Sequence, residues 1–251
     1  MTDELPFEGD EPEEEVFDVS SGKFADPPEV VGLFVPADIL EKFECYSYRN
    51  AAGLLANRFP DEAEEVWSAL RAFDITEAMI RTPGGNKSTI AKHVDGIMPP
   101  DWTETRLSGD LTINLWHAKK KDELLRSYVR KGYLDGHRID FVKGQIAFDL
   151  EWNSKDQTFD RDLYAFSSFY AAGAISIGLM LTRGNELDTD YFRRLGKVLT
   201  KKGTEGSEPV YKKFGASTTW MGKLLYRLDA DRNGGCPVLA FGITKQCIRP
   251  E

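Results

Sequence analysis

Cysteine is scarce in this chain, and the few there are do not pair up. Cys45, Cys236 and Cys247 are an odd number with no CxxC spacing among 251 residues. That excludes a disulfide framework and a cysteine-built zinc site, and leaves reduced, partly buried thiols. Histidine is equally sparse. His93, His117 and His137 stand apart, without the tight clustering that a histidine-built metal site needs. Long apolar runs are missing too. The longest candidate, residues 171–181, falls short of the roughly 20 residues of a membrane span and is flanked by Arg161 and Arg183. The first residues are acidic and lack the basic-then-apolar order of a secretory signal. These absences predict a cytoplasmic protein with no membrane association.

Positive charge is in deficit, at −9 overall, but the deficit lies at one end. Residues 1–28 hold ten acids and a single base, Lys23, and are punctuated by Pro6, Pro12, Pro27 and Pro28. So polar a segment buries too little surface to offset its ordering entropy, and it is expected to be a disordered tail. The remainder balances 31 acids with 31 bases. A neutral body can still present a basic cleft, because the local field matters more than the sum. The 41% apolar content is ordinary for a globular protein. Residues 29–251 are read as one domain, with a helical N-terminal part over 29–80 and a core over 81–251.

Helical spacing of apolar residues runs through 36–73. Pro60 restarts it with the stripe Ala63, Val66, Trp67, Leu70 and Phe73. A glycine-containing loop at 82–90 lacks the spacing of a phosphate-binding P-loop. The bases between 117 and 131 suggest a basic helix. Residues 139–143, a Lys143-Gly144 turn and residues 146–152 read as a β-hairpin. A helix over 161–172, a strand over 175–181, a basic helix over 188–202, a helix capped by Ser217 and reaching Leu228, and a strand over 238–243 follow. The order predicts an α/β fold, a mixed central sheet flanked by helices. No internal repeat is present.

The hairpin carries the chemistry. In Ile146–Trp152 side chains alternate, so Ile146, Phe148 and Leu150 face one way and Ala147, Asp149 and Glu151 the other. Asp140, on the preceding strand, can approach the same face. Converging carboxylates repel one another and lose hydration. A hard divalent cation relieves both costs, and Mg²⁺ needs only a few carboxylate oxygens while keeping waters for a phosphate ligand. A solvated acidic strand edge is the competing reading. Two acids at i and i+2 do not flank a sugar from opposite sides, which argues against glycoside hydrolysis.

Ile139-Asp140-Phe141-Val142-Lys143 and Ala147-Phe148-Asp149-Leu150-Glu151-Trp152 resemble the active-site hairpin of PD-(D/E)xK nucleases, and more narrowly that of the BglII/BstYI type II restriction endonucleases. The resemblance extends from about Glu64 to Ile243. It implies a restriction-endonuclease-like core, double-stranded DNA as substrate and Mg²⁺ as cofactor. Asp140 matches the first metal-binding aspartate and Asp149 the second acid, usually glutamate in the close relatives. Glu151 stands where the superfamily has lysine and those relatives glutamine, which leaves its role open between water activator, extra ligand and positioner. Ile139 replaces the proline of the name motif.

In the glycine-containing loop, Asn86, Lys87 and Ser88 are candidates for contact with a DNA backbone, and the resemblance implies that Ser217, Thr218 and Thr219 enter a groove ahead of their helix; plain helix capping is the alternative for the latter three. Arg193, Arg194, Lys197, Lys201, Lys202, Lys212 and Lys213 are candidates for phosphate contacts. Glu77 is an auxiliary candidate for the metal site, and Lys143 is expected only to solvate its turn. A homodimer is expected, since palindromic sites mirror two-fold protein symmetry. A repair or junction nuclease of the same superfamily, and a degenerate DNA-binding module, are the alternative functions.

Overall fold

Ile146–Glu151, Ile177–Arg183 and Val238–Ile243 are buried along their whole length, as strands covered on both faces must be. A computed structural model describes the protein over residues 24–84, 87–200, 202–215 and 217–249, without the side chains of Asp135 and His137. In chain order its elements are α1 (Pro28–Val31), α2 (Ala37–Lys42), β1 (Phe43–Tyr48), α3 (Ala51–Arg58), α4 (Pro60–Ala72), β2 (Ile75–Thr76), α5 (Glu77–Arg81), α6 (Thr89–Ile97), β3 (Thr103–Trp116), β4 (Leu124–Lys143) and β5 (Ile146–Glu151). Then come α7 (Thr158–Ala171), β6 (Ile177–Arg183), α8 (Thr189–Arg194), β7 (Lys197–Leu199), β8 (Glu205–Pro209), α9 (Met221–Asp229), β9 (Val238–Ile243) and β10 (Ile248–Arg249).

The central sheet has six strands in the order β1-β9-β6-β5-β4-β3. The β5/β6 and β6/β9 pairs are parallel; the β1/β9, β4/β5 and β3/β4 pairs are antiparallel. This is the mixed α/β architecture that the sequence predicts. One face meets the N-terminal helices, where Trp67, Leu70 and Val94 join Ile146, Phe148, Leu179 and Phe241. The other meets α7 and α9, where Leu163, Phe166 and Leu224 join Ala147, Met180 and Ala240. The alternation along β5 is therefore as expected, but its second face is core as well. Helix α4 begins with Pro60, places Asp61 and Glu62 in its first turn and Arg71 in its last, the arrangement that suits a helix N-terminus and macrodipole.

Several sequence expectations need correction. The helical run over 36–73 is interrupted by β1, whose Phe43, Tyr46 and Tyr48 favour a strand and which pairs with β9. The basic segment over 117–131 is no helix. Its C-terminal half opens β4 and pairs with β3, Leu111 opposite Arg130 and Ile113 opposite Tyr128. The predicted helix over 188–202 stops at Arg194. Gly196 takes a positive φ of 73°, and Val198 and Leu199 pass into β7, where a β-branched residue is at home. The last helix starts at Met221 with Trp220 as its cap, so Ser217 does not cap it. Residues 1–23 of the expected tail lie outside the described residues. Phe24, Ala25 and Asp26, assigned to that tail, are held on the body. The Arg49 guanidinium lies 4.1 Å from the Phe24 ring centroid, Ala25 bridges to Tyr48, and the Asp26 amide donates to the Ser47 carbonyl at 2.7 Å.

Candidate active site

The β4–β5 hairpin brings Asp140, Asp149 and Glu151 together. Phe141 pairs with Phe148, which sets Asp140 beside Asp149. The Asp140 amide donates to Asp149 Oδ1 at 3.0 Å, and the Leu150 amide reaches Asp140 Oδ2 at a longer 3.4 Å. Each aspartate is thus fixed by the other strand's backbone. The turn is fixed in its turn. Lys143 was expected only to solvate it, but its ammonium pairs with Glu65 at 2.6 Å and Asp101 at 2.7 Å, while the Trp102 indole donates to Glu65 at 2.8 Å. These contacts tie the hairpin to α4 and raise the Lys143 ammonium above its ordinary range through the two carboxylates.

A fourth carboxylate joins the three. Asp162, on α7, is 1% exposed, beside Asp149 at 5% and Glu151 at 6%. Arg161 straps this group from the solvent side. Its Nη2 donates to Glu151 Oε1 at 3.2 Å and its Nε to Asp162 Oδ1 at 2.8 Å. One guanidinium cannot neutralise so many acids. Burial, then the charges of Asp140 and Asp162, push the Asp149 carboxyl well above its ordinary range. Burial, then the charge of Glu151, push Asp162 up to about 8 against the pull of Arg161. Asp140 is raised as well, by lost hydration, against the pull of the Leu150 amide and the charge of Lys87. Asp149 Oδ2, Glu151 Oε2 and Asp162 Oδ2 are buried with no hydrogen-bond partner. Such orphaned acceptors cost free energy that a cation would recover.

Asp140 separates two cavities. One, of about 550 Å³, lies between Asp140 and Trp152 on one side and Lys87, Ser88 and Lys213 on the other. The second, of about 290 Å³, is bounded by Asp140, Asp149, Glu151, Glu104, Arg138 and Arg161. The Lys213 ammonium donates to the Thr82 carbonyl at 3.1 Å, and burial lowers its affinity for a proton. A half-buried cation facing an open cleft is suited to a phosphate.

The remaining predicted site residues divide. Lys87 lines the larger cavity and pairs with Asp95. Ser88 lines it too, and accepts the Ala91 amide at 3.0 Å as the cap of α6. Asn86 lies outside the described residues. Ser217 is exposed. The Thr218 hydroxyl is engaged, donating to the Gly215 carbonyl at 2.8 Å and accepting from Arg183 at 3.2 Å. Thr219 is 0% exposed, its hydroxyl accepting the Ser154 amide at 3.1 Å. It holds the loop after β5 and cannot read a groove from there. Glu77 starts α5 with its charge toward Tyr191 and lines neither cavity around Asp140.

A family model described as restriction endonuclease BglII/BglIII matches residues 43–243, the first residue of β1 to the last of β9. The chain belongs to that family. It is a type II restriction endonuclease, a site-specific deoxyribonuclease that hydrolyses DNA. No curated protein matches it. Enzymes of this family bind double-stranded DNA and generally depend on a divalent metal. In this endonuclease, no group of three or more His, Cys, Asp or Glu side chains among the described residues is arranged to hold a metal ion. The orphaned oxygens of Asp149 and Glu151 nonetheless fit a hard cation of the kind that takes one or two carboxylates and completes its shell with water and substrate. No helix among the described residues is long and apolar enough to cross a membrane.

Asp162 was missed by sequence reasoning, although its signal is visible. It falls on the stripe Phe159, Asp162, Leu163, Phe166, Phe169 that α7 buries, and an acid on a buried stripe needs a reason. Its raised carboxyl yields a prediction for the cation-free protein. Such a group stabilises the fold fully below the ordinary carboxylate range, and loses that contribution as pH climbs to about 8. Asp162→Asn, which keeps an acceptor for Arg161, should therefore match the wild type in acid and melt progressively higher than it across that window. Glu151 and Asp149 of β5 and Arg161 of α7 face the group. Thermal melts in EDTA over the window check this; a constant difference at all pH values would contradict it.

Proposed function

We propose that this endonuclease cuts both strands of duplex DNA at specific sites in a Mg²⁺-dependent reaction, with Asp140, Asp149 and Glu151 as its catalytic residues. The supporting observation is the meeting of Asp140 and Asp149 across the hairpin, with buried and unpartnered oxygens of Asp149 and Glu151 beside them. Asp140 and Asp149 would hold the ion. When bound, Mg²⁺ supplies positive charge against the attacked phosphate and eases deprotonation of water. The chain's own groups do the rest. Glu151 has one oxygen held by Arg161 and one free, so it can orient a water and accept its proton as phosphorus is attacked and the 3′ oxygen leaves. Arg161 brings a cation beside Glu151, the residue that stands where the superfamily carries lysine. Lys87 and Lys213 face the larger cavity and suit the DNA backbone, with Ser88, Asn86, Ser217 and Thr218 as further DNA-facing candidates. Residues 29–251 form the nuclease domain. The working unit is a cytoplasmic homodimer, because two-fold symmetry lets one site cut each strand.

The test is digestion of unmethylated genomic DNA in Mg²⁺ and in EDTA, with fragment ends sequenced. Discrete fragments sharing one terminal sequence are expected in Mg²⁺, and intact DNA in EDTA. Nicks scattered without a common sequence, or cutting that survives EDTA, would overturn the reading.

A further inference from the structure

β3 and β4 run on far beyond the sheet they start from. β5 pairs with β4 only over Phe141–Lys143, whereas β3 and β4 remain paired out to Trp116 and Leu124. The excess is a two-stranded ribbon, and every residue from Ala118 to Tyr133 is exposed. An isolated two-stranded ribbon is marginal in water, and this one leaves Trp116, Leu125, Val129 and Tyr133 about half exposed. A surface of that kind is built for a partner.

Its charge identifies the partner. Between Leu115 and Lys131 stand Lys119, Lys120, Lys121, Arg126, Arg130 and Lys131 against Asp122 and Glu123, six bases to two acids in a chain of net −9. Lys120 pairs with Glu123 at 2.9 Å; the other five have no carboxylate partner among the described residues. Arginine and aromatic side chains alternate along β4. The Arg126 guanidinium lies 5.2 Å from the Tyr128 ring centroid and that of Arg130 5.4 Å from the Tyr133 ring. Two ribbons of this charge would repel each other, which disfavours a second copy of the arm as the occupant. A polyanion attracts them, and a two-stranded β-ribbon is one of the shapes that the DNA major groove admits.

We infer that the β3–β4 arm is a second DNA-binding surface, gripping duplex outside the cleavage cleft through its phosphates. β4 is continuous from the arm to Asp140. At ~3.3 Å per residue, the stretch from Asp140 back to Arg126 spans at most roughly 45 Å, or roughly 13 base pairs, which its bulges and the positive φ of Gly132 and Gly136 shorten. That carries the arm beyond a short recognition site, so it contacts flanking DNA and adds affinity without sequence preference.

The experiment measures binding of the full chain to random-sequence duplexes of roughly 12 and roughly 40 base pairs, in EDTA, over a range of salt. Working in EDTA keeps the test independent of the proposed catalytic residues and of Mg²⁺. The variant is Lys119→Gln/Lys121→Gln/Arg126→Gln/Arg130→Gln, all exposed positions, with a thermal melt to verify folding. The long duplex should bind the variant at least about tenfold more weakly than the wild type, with a salt slope shallower by about 0.9 for each lost phosphate contact. The short duplex should bind both alike. Equal weakening on both lengths, or an unchanged salt slope, would overturn the proposal. So would a variant that binds the long duplex normally but loses self-association, since the arm would then belong to a second copy.

Discussion

Asp149→Asn is expected to lower DNA cleavage by at least about 10²-fold while leaving the protein folded and more resistant to heat. Both effects have one cause. Asp149 is buried among Asp140, Glu151 and Asp162, and its carboxyl is pushed far up by lost hydration and by those charges. Asparagine keeps the acceptor for the Asp140 amide and discards the charge. Folding therefore loses a repulsion and keeps its hydrogen bond, while the site loses a charge that a divalent cation would need. Glu151→Gln should act alike, since it keeps an acceptor for Arg161 but can no longer take a proton. Binding to DNA in EDTA should persist or strengthen, with fewer negative groups facing phosphates. A cluster that served only as a salt-bridge network would behave oppositely, because unpairing a buried charge is strongly destabilising. Three measurements on each variant separate the two: a thermal melt with and without Mg²⁺, a gel shift in EDTA, and plasmid cleavage in Mg²⁺. Mg²⁺ should raise the melting temperature of the wild type and not that of Asp149→Asn. Cleavage at the wild-type rate by both variants would remove the hairpin from the active site.

The parts of this molecule that were legible in its sequence are those where local pattern and tertiary demand agree. Ile146-Ala147-Phe148-Asp149-Leu150-Glu151 alternates its faces and pairs across a Lys-Gly turn, and the turn glycine takes a positive φ of 53°. The apolar runs of β6 and β9 are what parallel strands buried on both faces require. Where charge dominated the pattern, the reading failed. Lys119-Lys120-Lys121 drew the segment over 117–131 toward a helix, although Leu125, Ser127 and Val129 alternate with Arg126, Tyr128 and Arg130 at a strand's period. Tyr and Val favour that choice. The edge strand β1 was hidden because the helical spacing of α2 runs directly into it. The turn Lys143–Glu65 pair joins residues far apart in the chain, and no local pattern announces such a contact. The hydroxyl of Thr219 illustrates the same limit. A polar residue ahead of a helix suggested a surface role, yet the β5 exit loop needed a partner for the Ser154 amide, and only the assembled fold reveals that use.

Gly178→Ala is expected to destabilise the fold markedly. Gly178 sits on β6, paired with Ala147 of β5 and Val238 of β9, where α7 crosses the sheet. A Cβ built there would fall 2.5–2.8 Å from ring atoms of Phe166, and Phe166 is 0% exposed with no room to withdraw. Glycine is needed here for space, because its backbone lies in an ordinary strand conformation. Overpacking of this kind costs about 1–3 kcal/mol, a fall in Tm of roughly 2–12 °C for a domain of this size. Because the ring belongs to α7, the strain can be relieved only by lifting that helix. Arg161 and Asp162 ride on it, five and four residues before Phe166, so lifting it would loosen the Arg161 contact with Glu151 and slow cleavage even below the melting transition. Phe166→Leu in the Gly178→Ala background should recover part of both losses, although Phe166→Leu alone destabilises. That sign reversal is the non-additivity expected of residues in direct contact. The check is a double-mutant cycle read by thermal melt and by plasmid cleavage at a temperature where every variant is folded. Strict additivity in the melts would show that Phe166 is not what confines Gly178. A wild-type cleavage rate in folded Gly178→Ala would show that α7 can move without disturbing the carboxylates.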